Sequence, residues 1–144
     1  MNPITWKIPC KLAPGAKPLR HNHPSDVGFD LAALRQVVIP SRREAYVPTG
    51  VYVCIPETLC GFIWPRSSTR KKGLNVFRGL IDPHYCGELG VLVYNRSDKD
   101  VMVEEGEYFA QLVILPRVFV EFDYVDELPA TSRGEGGWGS TGRF

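Results

Sequence analysis

Prolines and glycines cut this chain into pieces too short for long helices. Twelve prolines and fourteen glycines are spread over 144 residues, and a proline inside a helix removes a backbone donor and clashes with the preceding turn. Between these breaks the apolar residues recur at every second position. Val51, Val53 and Ile55 alternate with Tyr52 and Cys54, which is the period of a half-buried strand. Short runs rich in β-branched and aromatic residues recur at Val37–Ile39, Phe62–Trp64, Val91–Tyr94, Val101–Val103, Phe109–Leu115 and Val118–Tyr124, with a lone candidate near Ile4–Ile8. Turn chemistry separates them, as in Pro48-Thr49-Gly50, Ser97-Asp98-Lys99 and Glu105-Gly106-Glu107. A turn or two of helix after Ser67 is the most that the pattern allows. The expected fold class is all-β: a sandwich, jelly roll or barrel.

The length suits one domain. Hydrophobic residues make up 44% and charged residues 23% of the chain, enough apolar surface for a core without disulfides. The expected division is one β domain over residues 1–132 and a flexible glycine-rich arm over 133–144, with residues 1–25 a proline-rich segment of uncertain role. A formal net charge of +1 carries no basic footprint of a nucleic-acid binder. No apolar run approaches the roughly 20 residues that span a bilayer. The stretch MNPITWKIPCKLAPGAKP holds prolines and polar residues where a secretory signal needs an apolar run. A soluble cytoplasmic or nuclear protein without membrane or nucleic-acid partners is expected. Cys10, Cys54, Cys60 and Cys86 form no C-x-x-C pair and read as scattered reduced thiols.

Four segments could carry chemistry. In GLIDPHYCG (Gly79 to Gly87), Asp82 is either a turn residue before proline or a carboxylate at a hairpin mouth, placed to act as a general base on water. In PRSSTRKKG (Pro65 to Gly73), Arg66, Ser67 and Ser68 offer a guanidinium, two hydroxyls and turn amides to an anion; the plainer alternative is a solvated loop with an N-cap serine. Arg70, Lys71 and Lys72 read as solvated. In DVGFDLAA (Asp26 to Ala33), Asp30 precedes a small-residue strand, and one carboxylate suffices for magnesium when phosphates and waters complete the octahedron. His21-Asn22-His23 nearby reads as a polar loop. Last, RGEGGWGST, from Arg133, is a disordered terminus by composition, yet it sets a tryptophan and an arginine among glycines that permit close approach to a ligand.

Together and in order, these segments resemble the five motifs of the homotrimeric dUTPase family: DVGFDLAA, PRSST, GLIDPHYCGELG, GEYFAQLVI (Gly106 to Ile114) and RGEGGWGSTG. The resemblance runs from about Asp26 to the end. It implies a jelly-roll β fold, a homotrimer with sites built from neighbouring subunits, and Mg2+-dependent hydrolysis of dUTP to dUMP and pyrophosphate. By position, Asp82 would activate water for attack on the α-phosphorus. Arg66, Ser67 and Ser68 would hold phosphate oxygens, with Gln111 beside the α-phosphate, and Asp30 would reach the metal through water. Tyr85 would pack on the deoxyribose and exclude a 2′-hydroxyl. Val76, Gly79, Leu80, Ile81 and Gly90 are the expected substrate-binding positions of the hairpin that reads uracil. Trp138 would stack on the base, Arg133 would reach the γ-phosphate, and Gly139, Ser140 and Thr141 would clamp it.

The chain departs from the family pattern at three places. Ser68 stands where glycine is commonest, Trp138 replaces the usual phenylalanine, and Phe77-Arg78 occupies a stretch that is often small and glycine-rich. Two alternatives remain open at this stage: a non-catalytic binding or signalling protein of the same fold, and a relative of the dCTP deaminases.

Overall fold

A computed structural model describes residues 4–137. Over that range the elements are β1 (Cys10–Leu12), β2 (Phe29–Ala32), β3 (Val37–Ile39), β4 (Glu44–Val47), β5 (Val51–Val53), β6 (Leu59–Pro65), α1 (Ser67–Lys71), β7 (Leu74–Val76), β8 (Gly79–Ile81), β9 (Val91–Asn95), β10 (Val101–Val103) and β11 (Tyr108–Pro116). A four-stranded sheet runs β2-β11-β6-β8 and a three-stranded one β4-β9-β7, while β1-β5 and β10-β3 form two-stranded ribbons. All of these pairings are antiparallel. The result is a jelly-roll-like β fold.

Alternation explains which faces meet. In β6, Leu59, Gly61 and Ile63 point inward while Trp64 stays exposed. In β9, Val91, Val93 and Asn95 are buried between the more exposed Leu92 and Tyr94. A register shift between Tyr108 and Ala110 on β11 breaks the alternation, so that Phe109 and Ala110 both enter the core. Those two join Leu31, Ile39, Val47, Val51, Ile55, Leu74, Leu89, Val103 and Leu112 in one cluster. Asn95 is a polar residue inside that core, and it is satisfied. Its amide donates to the carbonyls of Ile39 (2.9 Å) and Lys99 (2.7 Å), and its oxygen accepts from the Ser97 backbone (2.9 Å). That side chain thereby fixes the Ser97–Lys99 turn.

Two expected strands do not form. Residues 4–9 are irregular, and the short strand begins at Cys10 instead. The run Val118–Tyr124 has strand composition but pairs with nothing among the described residues, leaving Phe122 76% and Tyr124 94% exposed. Strand propensity reports a face that wants burial, and this segment finds no ladder partner among the described residues. Among the described residues no helix is long and apolar enough to cross a membrane.

Candidate functional site

The site falls into two halves. The first sits where β2, β11 and β6 lie abreast, with Asp30 opposite Gln111 and Gln111 opposite Trp64. Asp30 lies within β2, rather than before it. β6 ends at Pro65, Arg66 is still extended (φ −98°, ψ 147°), and α1 begins at Ser67. No serine caps this helix; Arg66 holds the N-cap position without a side-chain cap. Thr69 anchors the helix instead, its buried hydroxyl donating to the Phe109 carbonyl at 2.6 Å.

The Arg66 side chain points back under the sheet. Its Nε lies 2.9 Å from Asp30 Oδ1 and its Nη1 donates to the Tyr108 carbonyl at 2.6 Å. This fixes a cation at the strand end, with Nη2 unpartnered among the described residues. Gln111 Nε2 donates to the Pro65 carbonyl at 2.9 Å, and a Cβ at Gly28 would collide with the Gln111 side-chain oxygen. These contacts shape a polar cavity of about 420 Å³ lined by Asn22, Asp26, Asp30, Arg66, Ser67 and Gln111. Asp30 Oδ2 is buried with no hydrogen-bond partner. Such an oxygen invites a cation or its hydration shell. Ser68 is exposed on the first turn and lines neither this cavity nor the next.

The second half is the loop after β8. Asp82 to Tyr85 form a turn closed by Tyr85 N–H on the Asp82 carbonyl (3.3 Å). His84 adopts φ 65°, a left-handed conformation costing about 1 kcal/mol in a side-chain-bearing residue. Its N–H donates to the Ile55 carbonyl at 2.9 Å, which holds the turn against the body of the protein. The Tyr85 hydroxyl donates to the Glu88 carbonyl at 3.1 Å. Its ring lies so close over Gly87 that any Cβ there would overlap it. Asp82, Tyr85, Gly79, Leu80, Ile81 and Gly90 line a cavity of about 350 Å³, with Phe77 and Arg78 at its wall. Val76 is buried in the core and lines neither cavity. The Arg78 guanidinium stacks over the Trp64 ring at 4.2 Å.

Glu88 organises this loop, and sequence reasoning passed over it. Its Oε1 accepts from the backbone of Thr49 (3.1 Å) and Gly50 (2.8 Å), while the Tyr46 hydroxyl donates to Oε2 at 3.4 Å. Burial, then the neighbouring Glu88 carboxylate, pushes the Tyr46 phenol above its usual range. A Cβ at Gly90 would strike the Tyr46 ring. No local signal marks it, since Glu88 and Thr49 stand 39 residues apart in sequence. The cysteines also differ from the expectation: Cys54 and Cys86 are joined in a disulfide with Cα atoms 4.7 Å apart, while Cys10 and Cys60 are free. They were read as scattered because their sequence separation of 32 hides the meeting of β5 and the loop after Tyr85. Near the first cavity, His21 stacks on Phe29 at 4.0 Å.

The two cavities share no lining residue, and a third shares Trp64, Arg66 and Ser67 with the first and Arg78 with the second. Arg133 reaches none of them; its Nε donates locally to the Gly136 carbonyl at 2.8 Å. Trp138, Gly139, Ser140 and Thr141 lie outside the described residues.

One jelly-roll scaffold thus carries a phosphate-suited polar cavity and an Asp-Tyr loop beside a base-sized cleft. The family model for dUTPase matches residues 16–142. The chain belongs to the dUTPase family. Among curated dUTPase relatives, the deoxyuridine 5′-triphosphate nucleotidohydrolase of Oryza sativa subsp. japonica is 43% identical over 116 residues, covering 80% of this chain and 68% of the relative. That of Clostridium tetani is 37% identical over 99% of this chain and 100% of its own length. The solved dUTPase of Staphylococcus bacteriophage 80alpha with dUPNHPP superposes with a TM-score of 0.89 at 30% identity, covering 96% of this chain and 99% of that one.

Proposed function

We propose that the protein is a dUTP diphosphatase that hydrolyses dUTP to dUMP and pyrophosphate, with Asp82 as the base. Membership of the dUTPase family and the names of its curated relatives support the reaction. The observation that carries the assignment of residues is the two separate half-sites. One cavity offers a guanidinium, a hydroxyl and an amide suited to phosphate oxygens, and the other offers a carboxylate and a tyrosine over a narrow cleft. A triphosphate in the first and a deoxynucleoside in the second put the α-phosphorus between them. There Asp82 takes a proton from water, the water oxygen bonds to phosphorus, and the α–β bridging bond breaks to release pyrophosphate. Phosphoryl chemistry asks mainly for positioning and charge stabilisation. Arg66, Ser67 and Gln111 supply these, and Tyr85 fills the space a ribose 2′-hydroxyl needs. The backbone around Gly79, Leu80, Ile81 and Gly90 reads the uracil edge.

The donor set fits Mg2+. Asp30 carries an unpartnered buried oxygen in a cavity shared with Asp26 and Gln111, and no group of three or more metal-ligating side chains occurs among the described residues. That suits a hard cation held largely by phosphates and water, and the structure of a dUTPase from phage phi11 of S. aureus concerns a structural Mg(II) ion. Bound there, the ion would neutralise charge on the triphosphate. Asp30 would hold it through water while keeping Arg66 in place.

The halves meet in a homotrimer, with the phosphate half of one subunit facing the Asp82 loop of its neighbour. The apolar run from Val118 to Tyr124, exposed and without a strand partner among the described residues, supports a C-terminal stretch of the β domain (residues 1–132) that packs on another chain and leads into the arm. From Arg133 onward that arm is the clamp: Trp138 on uracil, Arg133 on the γ-phosphate, and Gly139, Ser140 and Thr141 around it. We place the enzyme in the aqueous phase of the cytoplasm or nucleus. A panel of dUTP, UTP, dCTP and dTTP with Mg2+, followed by pyrophosphate release, tests the reading. Turnover of dUTP well above the other three is expected, and equal turnover of UTP would refute the Tyr85 filter.

A further inference from the structure

We propose that Cys54 and Cys86 form a thiol–disulfide exchange site that tethers the substrate-binding loop, with low-molecular-weight disulfides and dithiols as its reagents. The inference rests on the placing of deoxyribose against Tyr85. Cys86 directly follows Tyr85 and is exposed, and Cys54 lies one residue beyond β5. The two are bonded, with Cα atoms 4.7 Å apart, inside the range of roughly 4.4–6.8 Å in which a bridge needs no backbone movement.

Backbone hydrogen bonds independent of the sulfurs hold both sides of the pair. Cys54 N–H donates to the Pro9 carbonyl (3.0 Å), His84 N–H to Ile55 (2.9 Å) and Leu89 N–H to Val51 (2.8 Å). Reduction would therefore leave the two thiols facing each other, ready to re-form the bond. It would also remove the covalent tie on residues 85–88, leaving them held by Glu88 on the Thr49 and Gly50 backbone. Tyr85 lies in that stretch, whereas Asp82 lies before the His84 anchor. Cys10 and Cys60 have no such partner, and burial pushes the Cys10 thiol up, away from the reactive thiolate.

The exchange balances. One cysteine thiolate attacks a reagent disulfide RSSR, forming a mixed disulfide and releasing RS⁻. The second thiolate then attacks the protein sulfur of that mixed disulfide and displaces the other RS⁻. Two protein thiols are oxidised, RSSR is reduced to two RSH, and two electrons move; a dithiol reverses both steps. Oxidation holds Tyr85 over Gly87 and keeps the deoxyribose shelf intact. Because hydrogen bonds still anchor the reduced loop, the effect should be smaller than the roughly hundredfold loss that follows a 1 Å displacement.

The test treats the full-length enzyme with oxidised glutathione or with dithiothreitol, maps cross-linked peptides by mass spectrometry, and measures kcat and KM for dUTP and UTP. A 54–86 cross-link is expected after oxidation. Reduction is expected to raise KM for dUTP by about three- to tenfold and to lower the preference over UTP, with a smaller change in kcat. Cys54→Ser and Cys86→Ser should each match the reduced wild type in dithiothreitol, and the double variant, which keeps neither thiol, should ignore both reagents. Equal KM and equal selectivity in the two forms would overturn the proposal, as would a redox response of the same size surviving in the double variant. An active enzyme that never forms the cross-link would overturn the thiol site alone. Inactivity of both forms beside an intact cross-link would instead overturn the dUTPase reading, and the effect of the bond on substrate with it.

Discussion

Replacing Asp30 by asparagine should weaken the fold and the phosphate half of the site together. Asp30 and Arg66 lie 2.9 Å apart with side chains only 7% and 24% exposed. Unit charges at that distance attract by about 6 kcal/mol at an effective dielectric near 20. Much of this is offset by the cost of taking both groups out of water, and Arg66 keeps its bond to the Tyr108 carbonyl. The net coupling should be about 2–3 kcal/mol, because Asp30→Asn leaves a guanidinium without its counter-charge. For a chain of this size that lowers Tm by roughly 4–12 °C. The assay is a double-mutant cycle of Asp30→Asn, Arg66→Met and the double variant, by denaturant unfolding at one protein concentration. A coupling below about 0.5 kcal/mol would refute the reasoning, since it would place the pair with exposed ion pairs of negligible worth.

Three further outcomes follow from particular contacts. Gly87→Ala should push Tyr85 off its seat, because the new Cβ overlaps the ring, and so reduce discrimination between dUTP and UTP by about tenfold or more; steady-state kinetics on both nucleotides would show it. Tyr46→Phe should flatten the alkaline end of the stability profile. The phenol is raised in the folded state, so its contribution is whole below the unfolded value of about 10 and is lost as pH climbs through the folded one; unfolding measured from pH 8 to 11.5 checks this. Chains carrying Asp82→Asn and chains carrying Arg66→Met, each inactive alone, should regain roughly a quarter of wild-type turnover when co-assembled in equal amounts, since one site in four would draw both intact residues from different subunits. No recovery would mean that each site is complete within one chain.

Much of the fold was legible because alternation is a local signal. Val51–Val53 and Val91–Asn95 bury alternate side chains and form strands where the pattern places them, and the run Phe109–Leu115 lies within β11 although a register shift breaks its alternation. Cys10–Leu12 was not legible: all three residues are exposed, and the strand exists only because β5 offers it a ladder. The converse holds at Val118–Tyr124, where propensity is present and a partner among the described residues is not. In the site, Asp82, Tyr85, Arg66 and Asp30 stand out by motif. The residues that hold them do not, because Glu88 reaching the Thr49-Gly50 turn and Cys86 meeting Cys54 are contacts across sequence separations that no local pattern encodes.

The central claim is that Asp82 activates the water that attacks dUTP. Pyrophosphate release from dUTP with Mg2+, compared between wild type and Asp82→Asn, tests it most directly, with binding of a non-hydrolysable dUTP analogue measured in parallel. Turnover should fall by about a hundredfold or more while the analogue still binds, the scale expected on removing a general base. A variant that keeps more than about a tenth of the wild-type rate would contradict the assignment.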